Sequence, residues 1–202
     1  MRCTGDTSST GRLGGAARRV RPHRESGMRW MMLLSVLAAG PACAAVVDAQ
    51  AGGFQVQSSA VIVAPPDKVY AALIRPGMWW SSEHTYSGDA RNETLDARAG
   101  GCWCEALPGG GSVQHMTVVF ADPGKVLRVR GGLGPLQGLG VDAALTWSLK
   151  AAPGGATLVS QTYVVGGYAP SGLAALAAPV DQVLTEQFGR LKSYVETGKP
   201  SP

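Results

Sequence analysis

The sequence predicts an α+β domain in which a curved antiparallel sheet of about seven strands grips a long C-terminal helix. Three observations lead there. Segments with the two-residue alternation of strands follow one another, divided by turn material such as AGG, LPGGG, ADPGK, GGLGPLQGLG and APGGA. Helical spacing is confined to one short segment early in this series and one long segment after it. Consecutive strands with segregated helices argue for antiparallel pairing, and a sheet curved around one helix leaves a cavity between them.

The strands begin only after residue 52. Residues 1–27, rich in Arg, Gly, Ser and Thr, show neither helical nor strand periodicity and read as a leader, with Met28 the true start. Arg29, the apolar run WMMLLSVLAAG and the small residues Ala42, Cys43 and Ala44 then form a signal peptide over 28–44, with cleavage expected after Ala44. The run is too short to span a bilayer. Gly-Pro-Ala before Cys43 lacks the Leu of a lipobox, and Arg18-Arg19 lies too far from the apolar run for a twin-arginine signal. The expectation is a periplasmic or secreted protein with no stable membrane anchor.

Removing the leader changes the electrostatics. Seven of the 18 Lys and Arg and two of the 14 Asp and Glu precede residue 45, which leaves 11 basic against 12 acidic residues and a net charge of −1. The basic stripe that phosphate binding needs is then absent, and no nucleic-acid partner is expected. The remaining 158 residues suffice for one domain with a sizeable core, expected over 53–198. Of the four cysteines only Cys102 and Cys104 survive processing, which is too few for a disulfide framework.

Along this domain, residues 45–52 (AVVDAQAG) read as a flexible lead-in. Residues 54–64 alternate and are rich in β-branched side chains, as a strand should be. Pro65 and Pro66 open a helix, Asp67 places negative charge in its first turn, and Pro76-Gly77 ends it. Strand segments follow at 90–97, 101–106, 113–121, 125–131, 142–151 and 156–165. From 171 to 196 apolar residues return at helical spacing. Pro179 is expected to kink this helix or divide it into a short and a longer piece, and Gly198 and Pro200 stop it.

The order of elements, the opening APPDKVYAALIRPGMWW, the AGGCWCE of the third strand and the helix VDQVLTEQFGRLKSYVE together resemble the SRPBCC superfamily. That group includes START domains, birch-pollen-type allergens and polyketide cyclase-like proteins, and the likeness runs from Phe54 to about residue 197. The resemblance implies the helix-grip fold and a hydrophobic ligand held between sheet and helix. It implies no common catalytic set.

Candidate site residues fall into three groups. In the hairpin around LPGGG, an even loop makes Cys104 face His115 and Cys102 face Thr117, with both cysteines and His115 on one face. These three could then line the pocket, or begin a zinc or copper site. An odd loop shifts the register and sets Glu105 beside His115. A disulfide within the C-x-C would need a kinked strand.

The second group lies in MWWSSEHTYSGD. Trp79, Trp80 and Tyr86 are candidates for an aromatic rim at the cavity mouth, and Glu83 with His84 for an acid/base pair. In the alternative, a Trp packs in the core and the two polar residues are solvated. The third group is on the long helix, where Val180, Val183, Leu184, Gln187 and Leu191 should look towards the sheet. Gln187 is the polar exception on that stripe, and a buried amide needs partners, for which His115, Tyr163 or a ligand are candidates. GGLGPLQGLG lacks any phosphate-binding pattern and reads instead as an apolar lip carrying Leu133, Leu136 and Leu139.

No G-x-S-x-G elbow is present and no cofactor is expected. The leading functional expectation is an exported protein that binds a hydrophobic or amphipathic small molecule of lipid, polyketide or aromatic type. A cyclase- or dehydratase-like enzyme using His84, His115, Glu83 or Glu105 is the alternative, and a metal-binding or chaperone-associated module is the third.

Overall fold

The computed structural model describes residues 43–201. The expected leader over 1–27 and nearly all of the signal peptide over 28–44 therefore lie outside the described residues. In chain order the elements are β1 (Cys43–Gln50), β2 (Gly53–Ile62), α1 (Pro66–Leu73), β3 (Glu93–Leu95), β4 (Cys102–Ala106), β5 (Ser112–Asp122), β6 (Val126–Arg130), β7 (Gly140–Ala152), β8 (Ala156–Tyr168) and α2 (Ala177–Thr197). The strands form one antiparallel sheet in the order β1-β2-β8-β7-β6-β5-β4-β3, and α2 packs on β2 and β1 and against α1. This is the helix-grip arrangement.

Alternation along the strands decides which face carries the helix. In β2, Phe54, Val56, Ser58, Ala60 and Ile62 are buried while the residues between them are not, so period two becomes an inner and an outer surface. Behind the inner surface runs a chain of edge-on and tilted indoles: Trp79 to Trp80 (5.5 Å), Trp80 to Trp103 (5.1 Å) and Trp103 to Trp147 (6.1 Å). The Trp147 indole N–H donates to Gln161 Oε1 at 2.8 Å, and the Gln161 amide donates to the Leu184 carbonyl at 3.2 Å, which ties sheet to helix.

Three expectations are corrected here. The sheet has eight strands rather than about seven, because residues 45–52, expected as a flexible lead-in, contribute most of β1 and its turn into β2. Val46 and Val47 are both exposed, so β1 carries little of the in/out alternation that marks a strand in sequence; its ladder with β2 holds it. The strand expected over 90–97 shrinks to Glu93–Leu95, because Ala90–Asn92 form one tight helical turn whose Arg91 N–H is capped by the Asp89 side chain. Of the two outcomes expected at Pro179 the kink is absent, while the division into a short and a longer piece is met just before it, between Leu176 and Ala177. Pro179 is the third helical residue, where its missing N–H has no partner to lose, and a separate short turn over Ala174–Leu176 precedes the helix.

Candidate functional site

Between the concave sheet and α2 lies a cavity of about 550 Å³. Trp80 and Trp103 form its back, Leu176, Pro179, Val180, Val183 and Leu184 of the helix region one wall, and Leu133, Leu136 and Leu139 its lip. The lip is fastened at two points. Tyr163 Oη accepts the Leu133 N–H at 3.0 Å and donates to the Gly131 carbonyl at 3.3 Å, while Tyr86 Oη donates to the Gly134 carbonyl at 3.0 Å. Burial pushes the Tyr163 phenol up to about 12, so it keeps the proton it donates. Gly131 adopts φ 145°, and a Cβ there would lie 2.8 Å from the His115 carbonyl oxygen, so the lip can leave β6 only through glycine.

The β4–β5 hairpin decides the chemistry of the closed end. Cys102 faces Thr117 and Trp103 faces Met116, as an even loop requires, but Cys104 faces Gln114 and Glu105 faces Val113. Beyond a bulge between Trp103 and Cys104 the pairs match neither sequence-derived register: Glu105 and His115 do meet, but through the bulge and not as the opposed pair that an odd loop would make. His115 is the extra residue, which is why it and Met116 are both buried although adjacent in the chain. Trp103, Glu105 and His115 all point inward as a result.

Cys102 and Cys104 consequently lie on the outer side, away from His115. The sequence-derived pocket and metal set of Cys102, Cys104 and His115 does not assemble: the two sulfurs are joined in a disulfide, with Cα atoms 5.4 Å apart. On a regular strand that spacing is about 6.6 Å, so the kink such a bond needs is present at the bulge.

Inside, two carboxylates and an imidazole meet. His115 Nε2 lies 2.9 Å from Glu105 Oε2, and the Glu105 carboxylate also accepts the backbone N–H groups of Tyr86 (3.1 Å) and Ser87. Burial raises the affinity of Glu105 for a proton, but these hydrogen bonds outweigh it and hold the carboxyl below its usual range. Burial lowers His115 despite Glu105 beside it, so the imidazole is neutral. Glu93 accepts the Trp103 indole N–H at 2.9 Å through Oε2, and burial, with the Glu105 charge adding to it, pushes its carboxyl up to about 8. One donor atom each from Glu93, Glu105 and His115 lie within 4.8 Å of one another, the one such grouping among the described residues that could hold a metal ion.

Among the remaining sequence candidates, Trp80, Tyr86, Glu83, His84, His115, Tyr163 and Leu184 line the cavity. Glu83 and His84 stand at its mouth, where His84 Nε2 is 3.3 Å from Glu186 of α2. Trp79 is not on the rim. It is buried in the core, its indole N–H on the Ala72 carbonyl at 3.1 Å. Gln187 does not face the cavity either, and neither His115 nor Tyr163 is its partner: Oε1 accepts the Ser81 N–H at 2.8 Å. Arg190 donates to the Trp79 carbonyl at 3.0 Å, so α2 satisfies the buried backbone of 79–81 with its own side chains. Leu191 is fully buried below this clamp, outside the cavity. Glu93 escaped the sequence reading because a lone Glu at the start of a three-residue strand has no period to reveal its face; its inward aim comes from pairing with Glu105 across β3 and β4.

No helix among the described residues is long and apolar enough to cross a membrane. Structures similar to this one include a conserved protein of unknown function from Enterococcus faecalis, with TM-score 0.55, 16% identity, and 76% of this chain and 78% of that one covered. CalU16 from Micromonospora echinospora gives 0.50 at 18% identity, covering 80% and 86%, and Ara h 8.0201 gives 0.51 at 14%, covering 71% and 98%. At such identities the likeness is one of fold. No curated protein matches the chain by sequence. The sequence profile described as polyketide cyclase/dehydrase and lipid transport matches residues 53–196, all of the sheet beyond β1 together with nearly all of α2. The chain therefore belongs to the polyketide cyclase/dehydrase and lipid transport family of the SRPBCC superfamily.

Proposed function

We propose that the protein is exported and binds a hydrophobic or amphipathic small molecule in the cavity between sheet and α2. The observation that carries this reading is the cavity itself: about 550 Å³ walled mainly by carbon, with polar groups gathered at its closed end and mouth. A site of that size and composition suits a compact lipid, polyketide or aromatic ligand. Membership of a family described by both lipid transport and polyketide chemistry supports the same ligand class. Native mass spectrometry of protein gently extracted from the periplasm of a Gram-negative host should show a bound species of low mass that denaturation releases. Protein that carries none, and that also fails to take up an apolar fluorescent probe, would sink the proposal.

A second reading, acid/base chemistry of the cyclase or dehydratase kind, is favoured by His115 and Glu93 lining one end of the cavity, with Glu105 hydrogen-bonded to His115. It separates from simple binding in the same experiment: an enzyme returns an added hydroxyketone lighter by one water, whereas a carrier returns it unchanged.

A further inference from the structure

Two buried polar atoms at the closed end of the cavity have no partner among the described residues: Glu93 Oε1 and His115 Nδ1. Both residues are only 4% exposed and both line the cavity, so these atoms are cut off from bulk water as well. Buried polar groups left unpaired are costly, and their usual explanation is a ligand or a function.

The surrounding hydrogen bonds fix what each atom offers. Glu105 takes N–H groups from Tyr86 and Ser87 and is an acceptor, so His115 Nε2 must carry the proton that it shares with Glu105. Nδ1 of the neutral imidazole is then a bare lone pair. Glu93 Oε2 already accepts from the Trp103 indole, and the preference of this carboxyl for its proton at neutral pH leaves Oε1 as the donor. The closed end therefore presents one uncharged donor and one uncharged acceptor beside the indoles of Trp80 and Trp103, which also line the cavity.

We propose that this end of the cavity is a binding site for a neutral hydroxyl of phenol or enol type, whose oxygen accepts from Glu93 and whose proton goes to His115 Nδ1. A hydroxyl is the simplest group that both accepts and donates, and the aromatic walls favour a flat, unsaturated body behind it. A carboxylate head fits poorly, because among the described residues no Lys or Arg lines the cavity and Glu105 stands close by. A cation fits poorly as well. The Glu105 oxygens are already taken by three N–H donors, which leaves it one carboxylate and one imidazole.

The inference rests on the cavity being a ligand site, and the test separates the two claims. Binding of naphthalene, β-naphthol, β-naphthoate and β-naphthylmethylamine to the full mature chain would be followed by tryptophan fluorescence and calorimetry at pH 6.5 with EDTA present. β-Naphthol should bind at least about tenfold more tightly than naphthalene, the effect of satisfying buried groups otherwise unpaired. Glu93→Leu and His115→Leu should each lose that preference while retaining naphthalene, and Glu93→Gln, which keeps an N–H donor, should retain most of it. Equal binding of naphthol and naphthalene by the unmutated protein would overturn the hydroxyl site and leave the apolar cavity standing; no binding of any probe would overturn both. Preference for the ammonium probe, or tight zinc binding without EDTA that His115→Leu abolishes, would overturn it in favour of a cation site.

Discussion

Glu93 and Glu105 are the same residue type, directly opposed across β3 and β4, yet their environments drive them apart. Glu105 is held ionised by N–H groups, and Glu93 is pushed up to about 8 by its burial, which the single indole donor offsets only in part, with the Glu105 charge adding to the rise. The sign of the pH dependence follows. Between about pH 4.5 and 8 the unfolded chain has released the Glu93 proton and the folded protein has kept it, so this residue's contribution to stability falls as pH rises through that window and is level above it. His115, depressed below its ordinary value, contributes in the opposite sense at pH values below about 6.5. Glu93→Gln, which keeps the indole acceptor and cannot ionise, isolates the first effect: its melting temperature should gain on that of the parent steadily from pH 5 to 8. A constant difference across that range would show that Glu93 is ionised in the folded protein.

At the scale of elements, the β4–β5 hairpin and α2 were read from sequence with different success. The alternation of C-W-C-E and the turn PGGG were legible, but the bulge was not, because an inserted residue leaves both flanking registers locally regular. One unpaired position thus moved His115 from the cysteines to Glu105. The apolar stripe of α2 was legible, yet the stripe serves two environments. Leu184 lines the cavity, whereas Leu191 lies in packed core beneath the Gln187 and Arg190 clamp. Leu191→Ala should destabilise by about 2–5 kcal/mol, as core truncations do, and Leu184→Ala by less than about 2 kcal/mol, since part of its surface has no neighbours to lose. Denaturant unfolding of both variants beside an apolar-probe titration checks this. Equal losses, with probe binding unaltered in Leu184→Ala, would mean that the helix seals a filled interior there.

For the whole molecule, the sheet's curvature and the single long helix create the cavity, and residues distant in sequence complete it. The mouth segment 82–86, the hairpin, the lip and the helix meet only because the strand order brings β2 and β8 beside β7 in one continuous sheet. The N-terminal edge bears on export. The residues that cleavage after Ala44 would leave, Ala45–Gln50, carry the β1 pairings from Ala45 with Gln57 to Gln50 with Gly53. Processing at that point therefore preserves most of the edge strand. Expressed from Met28 in a Gram-negative host, the protein should have the intact mass of a chain that begins AVVDAQ and folds as stably as the longer form. Retention of residues 28–44 in the purified protein would remove the case for export.

The sequence by itself determined the class of fold, the places of the turns, the long helix and its apolar stripe, and the apolar lip. These are carried by local patterns: period two, helical spacing, and the obligatory use of glycine and proline in turns. Tertiary structure alone decided the closed end of the cavity. Glu93 on a three-residue strand, Glu105 beyond a bulge and His115 at the bulge itself carry no pattern in common, and their environments come from neighbours ten or more residues away. The same holds for Gln187 and Trp79, whose sequence pattern fits site residues but which the clamp of α2 on the 79–81 backbone holds outside the cavity. Periodicity tells which side of an element is buried; what a side chain meets there depends on register and on which element lies opposite.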